Sequence, residues 1–283
     1  LIKACEEPMP PRTAIWNAIA LNAKAASARA WVRLVGANRK LAWVLADVLV
    51  LAAPVLSYGM LYSYAGAPPN LVGTLVVGVF MLPFWMNVVW NMASQFYWEK
   101  QVGNFEMYMI APVSRVSILT GMAFGGMFNT ILRSAFVLVV GGLVFSPAFH
   151  LANLTPAVLV FLLTLSALYS LGMLLSSLFM LYGREAWQTA GLLQEPVSFL
   201  SGVYFSVRFF PEAIRAAVSV IPLAVGLDAV RSLIVLGLGV ESIAWHVVLL
   251  VVFTVAFSLL ALRSLSFMEA LAKKEGRLTL RWQ

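Results

Sequence analysis

Trp98-Glu99-Lys100-Gln101-Val102-Gly103-Asn104-Phe105-Glu106, followed shortly by Ala111-Pro112-Val113-Ser114-Arg115, is a polar stretch punctuated by Gly and Pro. It lies between two long apolar runs, residues 71–96 and 116–145. Each run reaches or exceeds the about 20 mostly apolar residues a helix needs to cross a hydrocarbon core. Unpaired charge is costly inside that core, so the stretch between the runs must lie outside the lipid. A pair of membrane-crossing helices joined by an exposed polar connection is the unit from which the rest of the chain is read.

The remaining sequence is read in the same terms. Of 283 residues, 61% are hydrophobic and 11% charged, with a mean hydropathy of +0.90. Soluble domains carry about 25% charged residues, which excludes an ordinary soluble globule. Six spans are expected, at residues 41–62, 71–96, 116–145, 154–182, 186–205 and 243–267. The fifth is the weakest, because Gln194-Glu195-Pro196 interrupts it and Ser201-Gly202 follows. The apolar run 214–238 is broken by Pro222, Gly226, Asp228, Arg231, Gly237 and Gly239. It reads as a re-entrant external helical hairpin within 201–242. The expected fold is all-α: a polytopic membrane protein with an N-terminal segment (1–40), a six-helix transmembrane domain (41–267) and a basic tail (268–283).

Charge orients the spans. Lys24, Arg29, Arg33, Arg39 and Lys40 precede the first span, and Arg263, Lys273, Lys274, Arg277 and Arg281 end or follow the last. The loops 63–70 and 146–153 hold no Lys or Arg. Both termini are therefore expected on the cytoplasmic side. The net charge of +7 sits mostly near the two ends, which points to topology and anionic lipid headgroups and not to nucleic acid. Residues 13–40 read as an amphipathic interfacial helix, with Arg29, Arg33 and Lys40 on one face and Trp16, Trp31 and Leu34 roughly opposite. Cys5 is the only cysteine, so no internal disulfide and no cysteine-based metal cluster is expected. No cleaved signal peptide is visible.

No catalytic set appears. The sequence lacks G-x-x-x-x-G-K-[ST], H-E-x-x-H and G-x-S-x-G. His150 and His246 fall at the outer ends of spans and read as interfacial anchors. Arg133 and Glu195 lie inside spans, where a charge costs about 3 kcal/mol unless paired or wetted. They either pair with each other or line a polar part of a path. Asp47 lies within reach of water or of Arg39 and Lys40. Phe80, Phe84, Trp85 and Trp90 either line an apolar path or pack against neighbours. Glu99 and Glu106 sit on the cytoplasmic side, Gly103 permits a close turn, and Pro112 sets the boundary of the next span. A short helix carrying Phe105, Met107, Tyr108 and Met109 beside those acids suits a groove on a soluble partner.

These residues also carry a resemblance. W-E-x-x-x-G-x-x-E-x-x-x-x-A-P-V-S-R-x-x-I-L-x-G, from Trp98 to Gly121, resembles the cytoplasmic loop of the ABC type-2 permeases, the membrane subunits of ATP-driven, daunorubicin-resistance-type exporters. Gln194-x-Pro196, Leu200-Ser201-Gly202-Val203-Tyr204-Phe205, Phe210-Pro211, Ile221-Pro222-Leu223 and Asp228-Ala229-Val230-Arg231 are similar to that family's fifth span and external hairpin. The resemblance implies a non-enzymatic permease in a prokaryotic plasma (inner) membrane. A separate nucleotide-binding ATPase subunit would hold ATP and Mg, leaving this chain no cofactor of its own. A second permease, identical or similar, would complete the path, among membrane lipids. Residues 103–110 would form the coupling helix, with Glu99, Gly103, Glu106 and Pro112 in or beside it and Arg184 and Glu185 as a second contact. Ser201, Gly202, Pro211, Asp228 and Arg231 would shape the external hairpin, Asp228 and Arg231 pairing one turn apart. A hydrophobic or amphipathic drug or lipid would be the substrate. An ATP-independent carrier or channel, with Glu195 beside Pro196 as its coupling acid, is the alternative.

Overall fold

The computed structural model describes residues 11–274; within them, several side chains, including Glu106, Arg184 and Glu185, lie outside the described set. The helices are α1 (Pro11–Asn38), α2 (Leu41–Tyr64), α3 (Pro69–Met86), α4 (Gln95–Gln101), α5 (Asn104–Ile110), α6 (Arg115–Phe145), α7 (Leu154–Leu200), α8 (Glu212–Val218), α9 (Pro222–Ile234) and α10 (Ala244–Lys274). No strand occurs among the described residues. The protein is an all-α polytopic membrane protein. Val44–Tyr64, Pro69–Gln101, Arg115–Phe145, Leu151–Ser177 and Val240–Phe267 are each long and apolar enough to cross a bilayer.

The span Pro69–Gln101 is the core of the molecule. Over α3 it is buried on every side, residues 72–79 and 81–85 without a gap, which is the pattern of a helix enclosed by others. Phe84 is fully buried and packs edge-on against Phe80 and Phe161. Trp85 is buried as well, so this aromatic cluster packs the interior and does not line an open path. Pro83 removes one amide from the helical ladder, and the next turn widens into a π-helix over Asn87–Met92 before α4 begins.

The helical run α7 is unbroken over 47 residues, where two spans and an intervening loop are expected from sequence. A straight helix of that length would extend about 70 Å. Yet Phe161 packs against Phe80 and Phe84, and Val203, just past the end of α7, abuts Gly78 at nearly the same level. Between them, Gly172 faces Val88 and Met92, and Gly191 faces Trp90. The chain therefore descends along the core span and returns beside it, reversing between Gly172 and Gly191. Among the described residues, five helices are long and apolar enough to cross, or six if the bent pair α8 (Glu212–Val218) and α9 (Pro222–Ile234) counts as one span, and α10 brings the chain back to the end where it started.

Helices α1 and α2 run one after the other along α6. The amide of Ser114 donates to the Asn22 side chain, Ala26 and Ala30 meet Gly121 and Gly125, and the Ala37 carbonyl accepts from Arg133. Beyond that point Val55 and Gly59 of α2 face Gly141 and Phe145. Small residues four apart on both helices let the backbones approach closely. A Cβ at Gly121 or Gly125 would collide with the α1 backbone. The expectation that the cationic face of α1 points outward is corrected: Arg29 and Arg33 turn into the protein, while Trp16 and Trp31, expected roughly opposite, face out.

At the end away from both described termini, α8 and α9 form a pair bent by 110°. Pro222 opens α9 at a position where a missing amide costs nothing. The expected Asp228–Arg231 pair does not form. Arg231 is 3% exposed and donates to the carbonyls of Thr74, Gly202, Val203 and Phe205, at 2.6 to 3.1 Å. All five donors of the guanidinium are used, so one side chain joins α3, the turn after α7 and α9. Gly202 makes that turn possible with φ +70°, and Gly78 leaves room for the Val203 carbonyl.

Candidate functional site

Glu99 organises the end of the molecule where α1, α4 and α5 meet. Val102 ends α4, and Gly103, at φ 80°, turns the chain into α5. Extended Ala111, ahead of Pro112, closes α5. The reversal returns Asn104 and Tyr108 to Glu99. Asn104 Nδ2 donates to Glu99 Oε2 at 3.0 Å, and Tyr108 Oη donates to the same oxygen at 2.8 Å. Gln95 Nε2 and Arg29 Nη2 donate to Oε1 at 3.0 and 2.5 Å. The Arg29 guanidinium also stands 5.2 Å from the Tyr108 ring centroid, within cation–π range. One turn along α1, Arg33 donates to the Gln95 side chain. Burial, then the hydrogen bond to Glu99, push the Tyr108 phenol above its usual range.

Glu99 is therefore not a surface contact. At 7% exposure it is an internal brace holding α5 to α4 and α1. The outward surface is apolar: Trp98, Val102, Met107 and Ile110 are all exposed, Ile110 by 85%. Pro112 is exposed beside them. The side chains of Glu106, Arg184 and Glu185 lie outside the described residues.

A second polar place lies inside the span region. Arg133 pairs with Asp47 and donates to the Ala37 carbonyl at 3.2 Å. The expected Arg133–Glu195 pair is thus absent, and so is an Asp47 contact with Arg39 or Lys40. Sequence reading misses Asp47 as partner because it could not show that α1 and α2 lie end to end along α6. Asp47 and Arg133 share a cavity of about 310 Å³ with Asn87, Trp90, Asn91 and Thr130. The π-turn supplies Asn87, Trp90 and Asn91; π-turns recur at functional sites. Tyr169 Oη donates to Asn87 Oδ1 at 3.2 Å, and Trp90 donates to the Gln194 side chain on the return limb.

Glu195 is exposed, its carboxylate accepting from Gln194 Nε2 at 2.7 Å. It shares an outward stripe with Gln188, Leu192 and Phe199. Trp85 and Trp90, at the middle of the core span, contact Gln194 beside it.

In the hairpin, Ser201 and Gly202 are buried and Pro211 precedes α8. Asp228 accepts from Arg208 Nε and Nη2 at 3.0 and 3.3 Å, and stands 3.1 Å from His246 Nε2. Arg208 also reaches Ser232. His246 is thus part of a side-chain network, while His150 sits against the Ile234 carbonyl. Among the described residues, no group of three or more His, Cys, Asp or Glu is placed to hold a metal ion.

A bundle of five to six candidate spans, with a braced helix pair at one end and a sharply bent helix pair at the other, defines a polytopic membrane protein of the transporter class. The profile of ABC-2 family transporter proteins matches residues 41–263, most of the chain and all of the bundle from α2 into α10. The chain belongs to the ABC-2 permease family, whose members are non-catalytic membrane subunits of ABC transporters. No curated protein matches it.

Proposed function

We propose that the chain is the permease half of an ATP-driven exporter, and that α4 and α5 are its docking element for a separate ATPase subunit that binds ATP and Mg. The observation that carries this reading is the exposed apolar surface Trp98, Val102, Met107 and Ile110 on a helix pair braced from within by Glu99. A rigid element with an apolar face transmits a push, as a helix-in-groove contact requires. Motion of α5 passes through Glu99 to Arg29, along α1, and to the Ala37–Arg133–Asp47 contact at the cavity. That connection joins the ATPase contact to a polar cavity at membrane depth, as alternating access demands. Glu106, Arg184 and Glu185 join the docking surface in this reading.

The stripe Gln188, Leu192, Glu195 and Phe199 supports a second permease, identical or similar, facing this one across a wetted path. A carboxylate exposed to lipid at that depth costs about 3 kcal/mol, whereas one facing water or a partner does not. A cavity with an ion pair, two asparagines and apolar walls fits an amphipathic substrate, a drug or a lipid, better than a long hydrophilic polymer. The orientation proposed has both termini cytoplasmic in a prokaryotic inner membrane.

The test is co-purification from native membranes with an assay of ATP hydrolysis. A P-loop ATPase should accompany the chain and be lost in the Ile110→Asp variant, which leaves the helical content unchanged. A chain that purifies alone and moves solute under an ion gradient would make Glu195 the coupling residue of an ATP-independent carrier and end the exporter reading.

A further inference from the structure

Arg208, Arg215 and Arg231 sit at the end of the molecule remote from the described termini. Cations are depleted on the outer side of membrane proteins, so each calls for a use there. Arg231 is consumed by backbone carbonyls, and Arg208 by Asp228 and Ser232. Arg215, on exposed α8, has no side-chain acceptor among the described residues. It borders a cavity of about 480 Å³ together with Arg208, Asp228, His246, Trp245 and Ser219. Both Asp228 oxygens are occupied by Arg208 and His246, so the carboxylate cancels one of the two arginines and leaves the other uncompensated. Glu212, three residues before Arg215, does not line this cavity.

The cavity opens at the head of α10, the least enclosed of the spans. Trp245, 68% exposed, stands at its rim, and Leu249 forms part of its floor. Below them Val248, Val252 and Val255 continue an exposed apolar surface down the helix. A cation above an apolar strip, with a tryptophan between, matches the order of phosphate, glycerol and acyl chain in a leaflet. We propose that this cavity binds the phosphate headgroup of an outer-leaflet phospholipid, with Arg215 as its phosphate contact and the acyl chain lying along α10. The choice of leaflet rests on the orientation proposed above; the site itself does not. A lipid held there bridges α8 to α10 and steadies the hairpin.

The experiment titrates the purified intact chain, in neutral detergent, with three probes: short-chain phosphatidylglycerol, the matching diacylglycerol, and glycerol phosphate. Phosphatidylglycerol should bind most tightly. Arg215→Gln should weaken it about fivefold, the share of one near-surface cation. Arg215→Lys should restore most of the loss, and Glu212→Gln should change little. Glycerol phosphate binding as tightly as the lipid would make this a site for soluble anions and overturn the proposal. Equal binding of diacylglycerol, or a lipid affinity untouched by Arg215→Gln, would overturn it as well.

Discussion

Glu99 shows how one carboxylate serves three helices. Its two oxygens accept four donors from α1, α4 and α5. An amide has one oxygen and brings donors of its own, so Glu99→Gln sets N–H against N–H. That change should cost about 2–3 kcal/mol of stability, read from thermal unfolding in detergent. Because the proposed docking face is separate, the variant should still bind the proposed ATPase subunit yet lose substrate-stimulated hydrolysis. Retained stimulation would remove Glu99 from the coupling route. Tyr108 supplies a pH signature. With its phenol raised above the ordinary value of about 10, the folded state keeps a proton that an undocked tyrosine releases. The contact is then fully present below that value and is lost as pH rises through the folded one. A difference titration of tyrosinate absorbance, wild type against Tyr108→Phe, should show late ionisation; ionisation at the ordinary value would mean that Tyr108 is not docked. Glu99 and Gly103 stand out in the sequence as unusual, but sequence spacing alone does not reveal that the turn at Gly103 returns Asn104 and Tyr108 to Glu99.

Among elements, the seam between α1 and α6 matters most to the proposed mechanism, because it carries motion from Arg29 to Arg133. Ala26 and Ala30 against Gly121 and Gly125 keep it closed. Gly125→Leu drives a branched side chain into the α1 backbone and should cost about 1–3 kcal/mol. Cysteine cross-links between the Asn22 and Ser114 positions should fall in that variant while the rest of the bundle persists; undiminished cross-linking would show that the seam is not needed to hold α1. The small residues are visible in the sequence, but glycines in spans are common enough that their partner cannot be read from one chain. The same limit applies to α7. Its two apolar limbs are legible from composition, whereas the uninterrupted helical run through the reversal is not.

For the whole molecule, the exposed stripe around Glu195 predicts assembly. In native membranes, Glu195→Cys should cross-link to a second copy, or to a similar permease, with a short reagent. Modification by a water-soluble thiol reagent without any cross-linked dimer would place Glu195 on a single-chain path instead.

The apolar runs and the polar break at residues 98–115 settle the class without coordinates, and the asymmetry of Lys and Arg sets the expected orientation. Those features follow from hydration: what hydrocarbon excludes is written in composition. Partners among the few charges are a different matter. Arg133 takes Asp47 instead of Glu195, Asp228 takes Arg208 and His246, and Arg231 takes four carbonyls. Each choice depends on which helices lie side by side and at what height, and a pair energy falls off within a few ångströms. Only the packed bundle sets those distances, so the tertiary structure alone decided which charges brace the fold and which remain free to act.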